Sequence, residues 1–314
     1  MRLLTTLLLT LLSVASASLA AQTASASLAA QTVPAGPSEA ASSAGSSSAD
    51  PTVQPADTQF VGRLLAEARR MPRSTNFALH FARQFLGRPY VGQTLEVNDR
   101  ECLVVNTREL DCTTLVENVA ALTLCVWRNL YTARDFMNAL VELRYRGGRI
   151  DGYPSRLHYF TDWIDDNTRR GLVSEVQQPV PPFTAVQHVS VSYMSTHPQA
   201  YRALREHPEL LPAIKAQEQT LTGRQYRYIP KQEVGDTPAL RQAVHDGDII
   251  AVTCSKPGLD IAHLGFAVWR SDGLHLLNAS QLHKRVVEES MTLGQYLQRH
   301  PSHTGLRIVR LTKE

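Results

Sequence analysis

The sequence predicts an α+β fold with helices first and an antiparallel sheet afterwards. Between residues 60 and 145, apolar side chains recur at three- and four-residue intervals, the period of helices with one buried side. From residue 247 onward, short apolar and β-branched runs alternate with turn residues, the pattern of strands joined by tight connections. Helices and strands segregated along the chain argue α+β rather than alternating α/β.

Phe60, Leu64, Leu65 and Ala68 mark the first helix. Ser74 is the expected cap of a second, with Phe77, Phe81, Phe85 and Leu86 on one face and a break at Gly87-Arg88-Pro89. Tyr90 to Thr107 reads as loop or extended chain. Asp111 is a good N-cap, because its carboxylate can accept an otherwise unpaired N–H of the first turn. Behind it Leu115, Val116, Val119, Leu122, Val126 and Trp127 give the next helix a buried side. Thr132 caps another through Phe136, Leu140, Leu143 and Tyr145, ended by Gly147-Gly148. Residues 155–229 are polar and aromatic with several prolines; short helices are expected near 157–167 and 198–219, joined by loops. Strands follow at 247–253, 264–269, 274–279, 284–288 and 305–311, with a turn at Ser271-Asp272-Gly273. Their spacing predicts a small curled sheet, with the helix that begins at Cys112 packed on it.

Residues 1–20 have a basic tip (Arg2), a leucine-rich run and small residues after it, the composition of a signal peptide. Cleavage is expected after Ala17 or Ala20. The run is too short to span a bilayer stably, so no stable membrane anchor is expected. Residues 15–23 and 24–32 both read ASASLAAQT, a tandem duplication in a tolerant segment. Residues 21–58 hold too little apolar surface to offset their ordering entropy and read as a flexible leader. The folded domain is then 59–314, exported to the periplasm or beyond the cell. The whole chain carries a net charge of +3 with its arginines scattered, so nucleic acid is not an expected partner.

The four cysteines, Cys102, Cys112, Cys125 and Cys254, form no C-x-x-C pair, and there is no H-E-x-x-H, so neither a metal site nor a cofactor is expected. Export permits a disulfide among Cys102, Cys125 and Cys254, with the pairing open. Cys112 stands apart because it opens a capped helix. The first N–H groups of a helix are unpaired and carry partial positive charge, which stabilises a thiolate and then an oxyanion. His263 begins an apolar, strand-like run 151 residues later. A thiol at a helix N-terminus with a remote imidazole is the core of a cysteine hydrolase. The plainer alternative is that Cys112 is a small buried apolar residue. A serine hydrolase is disfavoured, because no G-x-S-x-G occurs.

An ordered series of motifs takes this further: Gly87-x-Pro89-Tyr90-x-x-x-Thr94-Leu95-Glu96; Leu110-Asp111-Cys112-Thr113-Thr114-x-x-Glu117; Arg156-Leu157-His158-Tyr159-Phe160-x-Asp162-Trp163; Gly247-Asp248-Ile249-Ile250; and Asp260-x-x-His263-x-Gly265-Phe266. The series resembles the N-acetylmuramoyl-L-alanine amidase-like family, a branch of the NlpC-type, papain-like cysteine peptidases, over about residues 60–311. The resemblance implies a papain-like fold and hydrolysis of the amide between the lactyl group of N-acetylmuramic acid and L-alanine, with peptidoglycan or muropeptides as substrate. It implies Cys112 as nucleophile and His263 as base, then acid. Where the family has His-Ala-Ser on the next strand, this chain has Asn278-Ala279-Ser280; an Asn oxygen can orient the imidazole as in Cys-His-Asn sites, and Asn278 is expected in that role, with His275 the competitor. Tyr90 matches a tyrosine that lines the cleft near the oxyanion, or is an ordinary half-buried aromatic. Arg156, His158 and Tyr159 read as a substrate-binding wall, or as packing alone. Asp260 faces the cleft or forms a turn. The remaining histidines read mostly as surface residues. Two other functions fit the same fold: an NlpC-type endopeptidase cutting between D-glutamate and the diamino acid, and a non-catalytic wall-binding module.

Overall fold

The computed structural model describes residues 50–313; the predicted signal peptide and most of the leader lie outside them. Strand β1 (Thr52–Val53) and helix α1 (Pro55–Ala68) are the first elements of the described residues, and both start before the expected boundary at residue 59. Asp57 is the reason. It is fully buried, and its Oδ1 accepts the N–H (2.9 Å) and hydroxyl (2.8 Å) of Thr107. This polar anchor has no apolar signature in the sequence. Helix α2 (Phe77–Gln84) is capped by Asn76, not Ser74: the Asn76 side-chain oxygen accepts the Leu79 N–H at 3.0 Å. Strand β2 (Val104–Val105), inside the stretch expected as loop or extended chain, pairs in parallel with β1.

Helix α3 (Cys112–Trp127) starts where the cap predicts. Asp111 Oδ1 accepts the Thr114 N–H at 2.8 Å, and Thr114 Oγ1 accepts the Asp111 N–H at 2.9 Å, a reciprocal box that fixes the entry of the chain. Every residue from Thr114 to Val126 is buried, so α3 is the central helix rather than a surface one. Helix α4 (Ala133–Arg144) begins after Thr132 as expected and is tied to α3 by a buried ion pair, Arg144 Nε to Glu117 Oε2 at 2.7 Å.

Then come α5 (Phe160–Arg169), β3 (Val173–Val176), β4 (Ala185–His188), α6 (Tyr193–Thr196), α7 (Arg202–Glu206), α8 (Leu211–Leu221), β5 (Gln225–Pro230) and α9 (Pro238–Ala243). The three strands of this region were expected as loop. They are four to six residues long and only partly apolar, so ladder bonds add to the little apolar surface they bury. Strands β6 (Ile249–Cys254), β7 (Ile261–Arg270), β8 (Gly273–Ser280), β9 (Arg285–Glu288) and β10 (His303–Leu311) match the predicted runs, with helix α10 (Leu293–Gln298) between the last two.

One eight-stranded sheet results, in the order β4-β5-β10-β6-β7-β8-β9, with β3 also on β10 and every pairing antiparallel. Strand alternation assigns its two faces. Leu264, Phe266, Val268, Leu277 and Ala279 join α1–α5 in the main core. Ile250, Val252, Ala267, Leu274 and Leu276 pack against Leu240 of α9 and Leu293 and Leu297 of α10. A third apolar cluster, including Tyr153, Tyr159, Met194, Leu204, Ile214 and Leu221, builds a wall from the α6–α8 region.

Candidate active site

The cap at Asp111 makes Cys112 the first residue of α3. Its half-buried thiol is hydrogen-bonded by the main chain of Leu264 on β7, the residue next to His263, so helix start and strand meet at the sulfur. Burial and the neighbouring Asp111 carboxylate push the thiol up to about 12, while main-chain groups of Leu264 and Cys112 and the Thr113 hydroxyl pull it back down. The helix terminus alone was expected to raise the thiolate fraction. Desolvation outweighs it here, so the resting sulfur is protonated at neutral pH.

His263 Nε2 lies 2.9 Å from Asn278 Oδ1. The amide oxygen can only accept, so Nε2 carries the proton and Nδ1 is left as the basic nitrogen. Burial pushes the imidazole below its ordinary value; the Asn278 hydrogen bond and the Glu289 and Asp111 charges oppose this, and His300 adds to it. A neutral imidazole and a neutral thiol therefore line one cleft. His275, three residues before Asn278 and so on the opposite face of β8, bonds instead to Asp272 Oδ1 and the Glu289 carbonyl, each at 2.9 Å. Gly265 explains the His-x-Gly pattern. A Cβ there would meet the Leu277 carbonyl oxygen at 2.6 Å, so only glycine lets β8 lie this close to β7 beside the imidazole.

Cys112 and His263 open onto one cleft of about 150 Å³, lined by Thr113, His158, Tyr159, Phe160, Met194, Tyr201 and the run from Leu259 to Leu264. The Tyr159 hydroxyl donates to buried Glu218 at 2.7 Å and accepts the Met194 N–H at 3.0 Å, which ties the α6 wall to the cleft. His158 donates from Nε2 to the Tyr153 carbonyl at 3.0 Å, and burial and the nearby Arg156 charge push it down to about 3, so it stays neutral. Asp260 lines the cleft and also caps α5, accepting the Thr161 N–H at 2.7 Å. Tyr90 is half-buried; burial, then the charges of Cys112 and Asp111, push its phenol up to about 12, so it remains a hydroxyl donor near the sulfur.

Arg156 departs from the expected binding wall. It is buried between Glu96 (3.1 Å) and Glu101 (3.0 Å) and is absent from the cleft lining. Met194 and Tyr201 were not anticipated, because they come from a polar segment whose short helices carry no clear period. Buried His303 also departs from the surface expectation. All four cysteines are free thiols. Among the described residues no group of three or more His, Cys, Asp or Glu is arranged to hold a metal, and no helix is long and apolar enough to cross a membrane.

Residues 80–306 match the family model of N-acetylmuramoyl-L-alanine amidase-like proteins. An N-acetylmuramoyl-L-alanine amidase of Bacteroides uniformis is 40% identical over 76% of this chain and 98% of its own, with a TM-score of 0.71. A Bacteroides fragilis protein provisionally called a xylanase is also 40% identical, covering 74% of this chain and 100% of its own, with a TM-score of 0.69. A Legionella pneumophila protein at 21% identity shares the fold, with a TM-score of 0.64 over 81% of this chain and 94% of its own. A search of curated proteins found no match. With the model spanning most of the chain, and a solved relative at this identity along nearly its whole length, the protein belongs to the N-acetylmuramoyl-L-alanine amidase-like family.

Proposed function

We propose that this protein is an exported cysteine hydrolase that cleaves the amide between N-acetylmuramic acid and L-alanine in peptidoglycan or muropeptides. The observation that carries this is the meeting of the Cys112 thiol, at the start of α3, with the strand that holds His263, whose imidazole is oriented by Asn278. Export rests on the composition of residues 1–20.

Nδ1 of His263 takes the thiol proton as Sγ attacks the lactyl carbonyl carbon. General-base transfer suits a thiol too high to ionise on its own. The tetrahedral oxyanion forms at the α3 N-terminus, where unpaired N–H groups and the Tyr90 hydroxyl can donate to it. The imidazolium then protonates the alanine nitrogen as the C–N bond breaks, which releases the stem peptide and leaves a thioester on Cys112. Water, deprotonated by the same imidazole, attacks the thioester carbonyl and frees the lactyl carboxylate. His158, Tyr159, Met194, Tyr201 and Asp260 form the wall against which the substrate lies. Xylan hydrolysis does not suit this cleft. It needs two carboxylates flanking the bond, whereas among the described residues that line the cleft the carboxylate is Asp260, already capping α5.

Cys112→Ala tests the proposal: the variant is expected to be folded and to lose about 10³-fold or more of its hydrolysis of a defined muramoyl-tripeptide. His263→Ala should lose about 10²–10⁴-fold. Substantial turnover by Cys112→Ala, or complete chelator inhibition reversed by zinc, would replace the cysteine mechanism with a metal one.

A further inference from the structure

We propose that Glu289 is a positioning residue of this site, holding the amide of Asn278 so that its oxygen, and not its nitrogen, meets the imidazole. The proposal rests on the Cys112–His263 mechanism given above.

Asn278 is fully buried, and its amide is two-sided. Turned one way, Oδ1 accepts from His263 Nε2. Turned the other, an NH₂ would confront an N–H, two donors with no acceptor. Glu289 decides between them. Its Oε1 lies 3.1 Å from Asn278 Nδ2, and a carboxylate only accepts. Only one amide orientation satisfies both contacts, and in it the imidazole tautomer is the one with Nδ1 free.

The carboxylate is itself held. It is 3% exposed, and its Oε2 lies 3.2 Å from Nε2 of half-exposed His283. The Glu289 N–H donates to the Leu276 carbonyl, and its own carbonyl accepts from His275, each at 2.9 Å. A buried carboxylate is costly unless it is hydrogen-bonded, and this one is bonded on both oxygens. The family-like arrangement would put an ionisable histidine where Asn278 stands. Here the charge sits one residue further back, and His263 still feels it, since Glu289 raises its proton affinity.

Other groups face the same imidazole: Tyr296 from α10 and His300 just after it, Asp111 and Cys112 at the start of α3, and His303 from β10. Glu289 is faced by Asn278, His283, Tyr296 and His275. A substitution at Glu289 alone leaves the rest in place. Loss of its negative charge eases proton loss from the imidazolium, so the acid limb of the pH profile moves to lower pH.

The test is kcat and kcat/KM against pH for the mature enzyme and for Glu289→Gln and Glu289→Asp, with a muramoyl-tripeptide as substrate, and Cys112→Ala alongside. Glu289→Gln should lower kcat about tenfold, with little change in KM, and shift the acid limb down by roughly half a unit to one unit, the size of a single charge at this remove. Glu289→Asp keeps the charge but draws the oxygens back by one methylene; it should keep the limbs in place and lose kcat a few-fold. If Glu289→Gln does not fold, the Asp variant decides, because full turnover with the contact withdrawn contradicts positioning. Variants that lose only thermal stability, with limbs and turnover of the folded enzyme unchanged, overturn the proposal. An active Cys112→Ala would instead overturn the mechanism on which it rests.

Discussion

Cys112 sits under two opposed influences. The helix start and the Leu264 main chain favour thiolate; burial and Asp111 oppose it and win. Alkylation of Cys112 by iodoacetamide, followed by peptide mass spectrometry, should therefore accelerate across the alkaline range instead of levelling off near neutrality. Asp111→Asn removes a nearby negative charge and should move that curve to lower pH. A plateau already reached at pH 6–7 would mean a resting thiolate–imidazolium pair. Asn278→Ala removes one neutral hydrogen bond to the imidazole and should cost about tenfold in kcat, clearly less than Cys112→Ala. At this scale the meeting of Cys112 and His263 in one cleft was legible. Asp111-Cys112 is a local cap-and-thiol pattern, and His263 stands at the head of a strand. Glu289, Met194 and Tyr201 were not, because what brings them to the site is tertiary contact with no local spacing to announce it.

At the scale of elements, the site depends on how closely β7 and β8 lie and on where α3 begins. Gly265→Ala places a methyl against the Leu277 carbonyl and the Leu276 side chain. It should destabilise the protein by about 1–3 kcal/mol, as overpacking does, and depress turnover through the His263–Asn278 spacing. Denaturant unfolding together with kcat measures both; full stability and activity would show that the strands have room. The long helices α3 and α4 and strands β6–β10 followed from period and caps, since each has an apolar face to bury. Strands β3–β5 were missed because short, only partly apolar strands owe much of their order to β10 and to each other. Helix α1 starts before residue 59 for a similar reason: Asp57 anchors it through hydrogen bonds to Thr107.

For the molecule as a whole, buried neutral histidines tie stability to pH. His158 is pushed down to about 3 in the fold from an ordinary 6.5. Below about pH 6.5 the unfolded chain takes up a proton there and the folded chain does not, so this group's share of stability falls as pH falls. His158→Gln should lose about 1 kcal/mol less than wild type between pH 7 and pH 5, the shift being discounted for partial solvent screening, as read by urea unfolding. Equal losses would mean that the folded protein protonates His158 without strain. The antiparallel strands were legible as short apolar and β-branched runs bounded by turns, while the α6–α8 wall that lines the cleft was not, and under the proposed function it is this wall that selects the bond. The most direct test of the account is therefore the identity of that bond. Mass spectrometry of the products from a defined muramoyl-tripeptide should find the free tripeptide with an unmodified L-alanine amino terminus, together with the free muramic acid sugar. A muramoyl-dipeptide with a free diamino acid would contradict the amidase account and make the enzyme an endopeptidase.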